Sequence, residues 1–302
     1  MARLKICIAP KNIPFKCIPT FMNNGQLTPS QTTEILRRLE HSPVRKLGQN
    51  FLVDSNIVRK SLELAHVCRG DVVVEVGPGL GTLTGALLGC GAKVFAVEID
   101  KKLFEYLKTD FASSADFNLV NADAVAMPLA ALPENVADFK IVANLPYAIS
   151  TPWLDAVLSS GRLPKMMSLM LQKEAALRFS ARNGSGEFSP ISICLGEAYD
   201  VLPPHRVSAA CFYPRPAVDS MLLALKLRPD AHVFNPRTKE LMRKIFSKRR
   251  KQIGSIAKNA GDQDSQTLFK WLDAFPEISP ERRPETIEPP LWRGLDEIVC
   301  EN

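Results

Sequence analysis

The sequence predicts a doubly wound α/β fold, in which helices cover both faces of a mostly parallel sheet. Three observations support this prediction: short apolar runs recur from residue 71 onward, segments of helical length separate them, and glycine or a polar residue ends several runs. Ligands of such folds bind at the carboxyl ends of the strands. After Pro229 the chain becomes charged and helical in pattern, which predicts a second, smaller helical domain.

The first predicted strand sets the pattern of the sheet. Val72–Val76 is interpreted as a continuous apolar run bounded by Gly77, which is typical of a strand buried on both faces. Helices are predicted at residues 80–88 and 101–108. Further strands are predicted at residues 93–97, 118–120, 141–143, 166–171 and 221–227.

Three regions are predicted along the chain: an N-terminal extension at residues 1–43, a Rossmann-like domain at 44–232 and a helical domain at 233–302. Residues 1–21 carry four basic and no acidic residues, which is weakly like a transit peptide, but three prolines interrupt any helix there. We therefore expect a disordered or loosely attached segment. Thr28 and Pro29 predict the N-cap and first position of a short helix.

Composition is that of an ordinary globular protein. The 302 residues are 46% hydrophobic and 23% charged, and no apolar run approaches the roughly 20 residues that span a bilayer. The seven cysteines are scattered without a Cys-x-x-Cys pair, so we expect free thiols in a reducing, cytoplasmic compartment. The histidines are isolated as well, and no metal site is expected. A monomer is expected.

A glycine-rich turn follows the first predicted strand. Gly77-Pro78-Gly79-Leu80-Gly81 is one residue tighter than the dinucleotide fingerprint, and its missing Cβ atoms allow a ligand to approach the backbone closely. Because Pro78 stiffens the turn, it suits a nucleoside that has no pyrophosphate. By itself the segment is also compatible with a plain tight turn between a strand and a helix.

Two carboxylates end the next two predicted strands. Glu98, 21 residues beyond Gly77, can accept hydrogen bonds from both hydroxyls of a ribose, and Asp123 can accept one from the amino group of an adenine. Each residue alone is more often a solvated carboxylate at a strand end. Together with the glycine turn, they predict an S-adenosylmethionine site.

The segment Asn144-Leu145-Pro146-Tyr147 follows the fourth predicted strand and suits methyl transfer to a planar amino nitrogen. The lone pair of an adenine amino group is delocalised into the ring, so this nitrogen is a poor nucleophile. The side-chain oxygen of Asn144 and the carbonyl oxygen of Leu145 could grip its two hydrogens and shift it toward a tetrahedral geometry. Pro146 removes a competing N–H donor, and Tyr147 offers a face on which the base can stack. The alternative is a strand that ends in an ordinary turn.

A second aromatic residue could complete this base site. Phe212 begins the proline-rich segment Phe212-Tyr213-Pro214-Arg215-Pro216, which leads into the last predicted strand. This rigid segment could hold Phe212 against the other face of the target base. The alternative is a packed loop at the edge of the sheet.

Positive charge is concentrated in one stretch of the chain. Residues 237–258 contain nine basic residues and one acidic residue, a local balance of +8, whereas the whole chain carries +6. Such a concentration on an otherwise balanced protein indicates a polyanionic partner. Lys248, Arg249, Arg250 and Lys251 form its densest part and are the predicted RNA contacts, although a charge run is often only a solvated face.

In combination these motifs resemble the ribosomal RNA adenine dimethyltransferases, most closely the bacterial small-subunit branch. The resemblance extends over roughly residues 44–295. The motifs that carry it are Leu47-Gly48-Gln49-Asn50-Phe51-Leu52, the glycine turn, Val97-Glu98-Ile99-Asp100, Asn121-Ala122-Asp123-Ala124, Asn144-Leu145-Pro146-Tyr147 and the segment from Phe212 to Ser220.

The resemblance implies a Rossmann-like S-adenosylmethionine-dependent methyltransferase sheet with a small C-terminal helical domain. It implies dimethylation of N6 on two adjacent adenosines in the 3′-terminal hairpin loop of small-subunit rRNA, within an immature 30S particle, at the expense of four S-adenosylmethionines. The implied base contacts are Leu145, Tyr147 and Phe212, and the basic run would contact rRNA phosphates. The implied cofactor contacts are Asn50, Leu52, Gly77, Glu98, Asp123 and Asn144.

The sequence departs from the family pattern in two places. Many members have Tyr-Gly-x-Leu-Ser where this chain has Phe188-Ser189-Pro190-Ile191-Ser192. This loop is expected to border the RNA path, and the difference leaves its contacts with RNA open. Residues 1–25 have no counterpart in the family and are expected to be an extension or the product of a wrongly chosen upstream start.

Two other functions stay open at the level of sequence. One is a large-subunit rRNA adenine methyltransferase with the same core motifs, against which the segment from Phe212 to Ser220 and the arginine-rich final domain argue. The other is a non-catalytic factor in transcription or ribosome assembly, against which the intact residues Gly77, Glu98, Asp123 and Asn144 argue. DNA adenine and glutamine methyltransferases usually carry proline where this chain has Leu145.

Overall fold

A computed structural model of the chain describes residues 27–44 and 47–301. The segment predicted as disordered or as a targeting signal, residues 1–21, lies outside this range. The predicted cap at Thr28 is confirmed, because its hydroxyl oxygen accepts the backbone N–H of Gln31 while the Gln31 side chain accepts the backbone N–H of Thr28. This capping box starts the first helix.

The described residues form ten strands and eleven α-helices. The strands are β1 Phe51–Leu52, β2 Val72–Val76, β3 Lys93–Glu98, β4 Phe117–Asn121, β5 Lys140–Asn144, β6 Met166–Gln172, β7 Tyr199–Val201, β8 His205–Val207, β9 Phe212–Tyr213 and β10 Ser220–Leu227. The helices are α1 Pro29–Arg38, α2 Ser55–Leu64, α3 Thr82–Gly89, α4 Lys101–Asp110, α5 Ser150–Ser159, α6 Lys173–Phe179, α7 Pro190–Ala198, α8 Pro236–Ser247, α9 Ile253–Lys258, α10 Asp262–Ala274 and α11 Pro289–Glu301. Within the described ranges, no helix has both the length and the apolarity to cross a membrane.

Eight strands form one sheet in the order β4-β3-β2-β5-β6-β10-β7, with β8 also paired to β10. The five strands from β4 to β6 are parallel, and β10 runs antiparallel to its neighbours. The chain order reverses between β2 and β5, so the loops that follow these two strands open a crevice between them. The predicted α/β fold is therefore confirmed, and the crevice lies where the glycine turn and Asn144 were predicted.

All six predicted strands are present, and each bound is within one residue of the prediction. The helix predicted at residues 80–88 begins later, at Thr82, because Gly81 adopts a φ of +80° and continues the turn. The sequence did not predict β1, β7, β8 and β9, which have two or three residues each and are too short to show a periodic pattern.

The helices form two layers around the sheet. On one face, Val73 packs with side chains of α2 and α3; on the other, Val74 packs in a core that includes α5 and α7 and continues into α8–α11. Phe188 and Phe246 join the two parts of this larger core, with their ring centres 6.1 Å apart. The proposed boundary at residue 232 falls between β10 and α8, and the division at residues 43 and 232 stays a prediction.

Candidate active site at the strand tips

A cleft opens at the carboxyl ends of β2, β3 and β5. Three loop segments complete its walls: residues 47–52, the glycine turn and the segment that follows β5. The structure brings together eight residues that the sequence predicted from separate motifs: Asn50, Leu52, Gly77, Glu98, Asp123, Asn144, Leu145 and Tyr147. The cleft therefore combines the predicted cofactor and acceptor residues.

Two glycines allow these segments to touch one another. Gly77 has a φ of +64°, and a Cβ atom there would lie 3.4 Å from the Pro146 ring. Gly48 has the same φ, and its Cβ would lie 3.2 Å from the backbone nitrogen of Tyr147. Side chains rarely adopt this left-handed conformation, which favours glycine at both positions. At Gly48 a Cβ atom would also crowd the backbone of Tyr147.

Asn144 is the last residue of β5, and its side chain has a defined orientation. Its Nδ2 donates a hydrogen bond of 2.9 Å to the backbone carbonyl of Asn50. A carbonyl oxygen can only accept, so the amide nitrogen must face Asn50 and the amide oxygen is left for another donor. The predicted acceptor, Asn144 Oδ1, is therefore the atom that the fold makes available. Asn50 also donates from its own side chain to the carbonyl of Gly48, 3.1 Å away.

Glu98 ends β3, and its carboxylate is held by backbone on both sides. Oε2 accepts the N–H of Gly79 at 3.1 Å, and Oε1 accepts the N–H of Asp100 at 2.9 Å. The residue is only 4% exposed. Burial raises the pKa of Glu98 above its ordinary value, and the hydrogen bonds from Asp100 and Gly79 oppose this rise. The carboxylate is thus fixed against the glycine turn.

Asp123 and Ile99 lie at the cleft beside Glu98. The Asp123 side chain is exposed and accepts the backbone N–H of Val125 at 2.8 Å, so one of its oxygens is fixed by the loop after β4. Ile99 is half-exposed and gives the cleft an apolar wall. The sequence-based prediction did not identify Ile99, although a large apolar residue between the carboxylates of Glu98 and Asp100 was a usable signal.

Glu75 is a second cleft residue that the prediction missed. It lies inside β2, is 1% exposed and accepts a hydrogen bond of 2.7 Å from the Thr84 hydroxyl. Its other oxygen has no partner among the described residues. Burial foremost, with a smaller contribution from the Glu98 carboxylate, raises the pKa of Glu75 to about 8. The available signal is a single carboxylate inside a run that is otherwise apolar.

Gln49 connects the segment at residues 47–52 to the end of β3. Its Nε2 donates to the Asp100 carboxylate at 3.1 Å, and its Oε1 accepts the backbone N–H of Val44 at 2.8 Å. Nε2 of His41 lies 2.9 Å from the same Gln49 oxygen. This network holds the segment that carries Asn50 and Leu52 over the cleft.

The Tyr147 side chain is half-buried and lines the cleft. Its hydroxyl lies 2.8 Å from the hydroxyl of Ser220, at the start of β10. Leu145 is buried, and its backbone N–H donates to the carbonyl of Met170 in β6 at 3.2 Å. The predicted acceptor segment is therefore fixed through β6 and β10 as well as through β5.

The structure does not bring Phe212 to the cleft. In β9 it pairs with Leu52 of β1, and its side chain is 4% exposed in the core beside α2 and α3. This placement matches the alternative of a packed loop at the sheet edge. Contact between Phe212 and a target base stays a prediction, and it would require the side chain to leave this core.

The predicted RNA contacts lie in the turn between α8 and α9. Their four side chains differ in exposure and in hydrogen bonding. Arg249 is half-buried and donates to the carbonyls of Gly186, at 2.7 Å, and Ser185, at 3.4 Å. Lys248 donates to the carbonyl of Asn259 at 3.3 Å. Arg250 and Lys251 are exposed, and their side chains make no hydrogen bond or ion pair within the described part of the chain.

The loop that departs from the family pattern forms the start of α7. Phe188 is buried, and Ser189 and Ser192 form a capping box at the helix N-terminus. Ser192 also donates to the carbonyl of Arg178 at 2.6 Å. These residues therefore contribute to packing and helix capping in this structure.

The chain is similar to known proteins over most of its length. Residues 41–275 match the model of the family described as ribosomal RNA adenine dimethylase. A protein of Opitutus terrae named ribosomal RNA small subunit methyltransferase A is 55% identical over 89% of this chain and 98% of its own length. The protein of the same name from Moorella thermoacetica is 36% identical over 90% of this chain and 96% of its own length.

Solved structures show the same architecture. A dimethyladenosine transferase from Plasmodium falciparum matches with a TM-score of 0.67 and 25% identity, over 81% of this chain and 95% of that one. The 23S rRNA methyltransferase ErmE matches with a TM-score of 0.60 over 83% of this chain and all of that one. Its identity is 21%, so this second likeness concerns the fold alone.

Proposed function

Because this chain belongs to the ribosomal RNA adenine dimethylase family, we propose that it dimethylates N6 of adenosines in small-subunit ribosomal RNA with S-adenosylmethionine. The observation that carries the proposal is the orientation of the Asn144 amide, whose nitrogen donates to the Asn50 carbonyl and whose oxygen is therefore left to accept from the substrate. The target would be two adjacent adenosines in the 3′-terminal hairpin loop, within an immature 30S particle. The protein would act in the cytoplasm as a monomer.

The cofactor side of the cleft fits S-adenosylmethionine. Glu98, held by two backbone amides, would accept hydrogen bonds from the ribose hydroxyls. Asp123 would accept a hydrogen bond from the adenine amino group. Gly77 leaves room for the ligand along the backbone, and Asn50 and Leu52 would close the site from the opposite segment. When bound, the cofactor supplies a methyl carbon activated by its sulfonium.

The acceptor side would prepare the adenine nitrogen for attack. Asn144 Oδ1 and the Leu145 carbonyl would accept one hydrogen bond each from the two N–H groups of the amino group, while the base stacks on Tyr147. The base must first leave its stack in the RNA. No strong general base is required, because a methylated, positively charged amine is acidic and can lose its proton to water. Positioning and fixed dipoles would then account for most of the rate gain.

The basic turn would hold the RNA outside the cleft. Arg250 and Lys251 are exposed and would contact phosphates, with Lys248 and Arg249 beside them. Contacts of this kind give affinity without sequence preference and make binding strongly dependent on salt.

The test is methylation of ribosomal subunits with a tritium-labelled cofactor. Small subunits that lack dimethyladenosine should be labelled at two adjacent adenosines near the 3′ end of their rRNA, and large subunits should not. Label in large-subunit rRNA alone would favour the large-subunit methyltransferase. Binding to small subunits without any label would favour a non-catalytic assembly factor.

A further inference from the structure

Tyr147 is fixed at both ends of its side chain. Its backbone follows Pro146, and its hydroxyl lies 2.8 Å from that of Ser220, which is 0% exposed. The hydroxyl therefore points into the protein, while the half-buried ring lines the cleft. A ring held at both ends of its long axis cannot swing sideways within the cleft without breaking the hydrogen bond to Ser220.

Ser220 is itself held rigidly. In the sheet it pairs with Gln172 of β6 and with Val207 of β8. The preceding residue, Asp219, accepts the backbone N–H of Lys173 through its carbonyl at 3.1 Å and forms an ion pair of 2.6 Å with Arg206. The Ser220 hydroxyl is thus a fixed point against which the Tyr147 ring can be aligned.

The two methyl transfers to one adenosine make different demands on this ring. An unmodified adenine offers two N–H bonds, one for Asn144 Oδ1 and one for the Leu145 carbonyl. After the first transfer the nitrogen carries one methyl group and one N–H bond, so one of the two acceptors has no donor. The position of the base then depends more on stacking against Tyr147.

We propose that Ser220 is a positioning residue that acts through Tyr147 and contributes most to the second methyl transfer. This inference rests on the proposed function. In the second step the N6 lone pair forms the bond to the methyl carbon, and the electron pair of the broken carbon–sulfur bond stays on sulfur. The last N–H proton leaves to water.

The experiment compares products formed by full-length variants on small subunits that lack dimethyladenosine. N6-methyladenosine and N6,N6-dimethyladenosine are quantified at equal total methylation. Ser220→Ala and Tyr147→Phe remove the same hydrogen bond from opposite ends, so each should raise the ratio of monomethyl to dimethyl product by about three- to tenfold, the effect of one hydrogen bond. The double variant should show no larger shift than either single one, because both act through one contact.

Two further variants separate positioning from general packing. Ser220→Thr keeps a hydroxyl and should restore the wild-type ratio. Ser168→Ala is the matched control: Ser168 lies in the neighbouring strand β6, is 0% exposed, and its hydroxyl has no partner among the described residues. It should leave the product ratio unchanged.

The outcomes distinguish this inference from the proposed function. A wild-type ratio in Ser220→Ala and Tyr147→Phe would overturn the positioning role, as would an equal shift in Ser168→Ala. If Ser220→Ala fails to fold, Tyr147→Phe still decides, because it removes only a hydroxyl from a half-buried ring. If the wild-type chain methylates no adenosine, the proposed function fails and the inference fails with it.

Discussion

The cleft at the strand tips and the basic turn at residues 248–251 hold their functional side chains in different ways. In the cleft, the Asn144 amide and the Glu98 carboxylate are each bonded to the backbone of another chain segment. On the turn, Arg250 and Lys251 are exposed and without side-chain partners within the described residues. The first region fixes the direction of single atoms, whereas the second presents charge.

This difference teaches where the protein should be sensitive to small changes. In the cleft, the loss of one acceptor atom removes an interaction that is directed at one position of the substrate. On the turn, neighbouring cations can partly replace one another, because contacts to phosphate depend mainly on charge. Substitutions in the cleft should therefore abolish chemistry, and substitutions on the turn should weaken affinity gradually and in a salt-dependent way.

Replacement of Asn144 should have the largest effect. Asn144→Ala removes the oriented amide oxygen, and we expect methylation to fall by about a hundred- to a thousandfold, as for the loss of one preorganised polar group in an active site. RNA binding should be unchanged, because the basic turn is intact. Initial rates of methylation and RNA affinity should be measured on the same preparation.

A matched variant tests whether the amide orientation matters. Asn144→Asp retains an acceptor but places a carboxylate oxygen against the Asn50 carbonyl, which requires a donor. We expect it to be nearly as inactive as the alanine variant, while Asn56→Ala, an exposed change on α2, should behave as wild type. Near-normal methylation by Asn144→Ala would remove the assigned chemistry, and with it the contrast between the two regions.

Much of the cleft could be predicted because its residues lie in short motifs at successive strand ends. Parallel strands bring their carboxyl ends to one edge of the sheet. The glycine turn that starts at Gly77 follows β2, and Glu98 ends β3, so both motifs are expected at that edge. The contact between Tyr147 and Ser220 could not be predicted, because it joins residues 73 positions apart and depends on the register of β10.

Two other residues show what a local pattern leaves out. Phe212 is predicted to face the base from its place in a proline-rich segment; in this structure β9 pairs with β1 and the Phe212 side chain packs in the core, and its contact with a base stays a prediction. Glu75 was overlooked because strand periodicity averages over neighbours and does not register one carboxylate among valines. The burial of this carboxyl group depends on the tertiary packing around it, which a local pattern does not specify.

Glu75 provides a test of how burial affects the cleft. Its pKa is about 8 in the folded chain against an ordinary 4.5, so between these values the folded state holds a proton that the unfolded state has lost. Stability contributed by this group is therefore present at low pH and is lost as the pH rises toward 8. Glu75→Gln cannot ionise and should escape this loss, which amounts to on the order of 3 kcal/mol.

The measurement is the free energy of unfolding in urea at pH 5 and pH 8. The stability of Glu75→Gln relative to wild type should increase between the two pH values. Glu105→Gln, an exposed change on α4, should show no such trend. A difference between Glu75→Gln and wild type that does not vary with pH would mean that Glu75 is ionised in the folded cleft.

The basic turn should show the smallest effect per residue and the clearest dependence on salt. The double variant Arg250→Ala/Lys251→Ala removes two exposed cations, so RNA affinity at moderate salt should fall by about five- to tenfold, and the slope of log affinity against log salt should decrease by about 1.4 to 1.8. Stability should be unchanged. Lys108→Ala, an exposed change on α4, is the control for net charge.

Arg249→Ala makes the comparison within the turn itself. Arg249 donates to the carbonyls of Gly186 and Ser185, so its loss should lower the free energy of unfolding by about 1–2 kcal/mol and change the salt slope less than the double variant does. Titrations of small-subunit RNA at several salt concentrations, together with urea unfolding, measure both quantities. An unchanged slope in the double variant would place the RNA surface elsewhere. A normal stability and a full change of slope in Arg249→Ala would show that its bonds to the loop add little to stability and that Arg249 contacts phosphate.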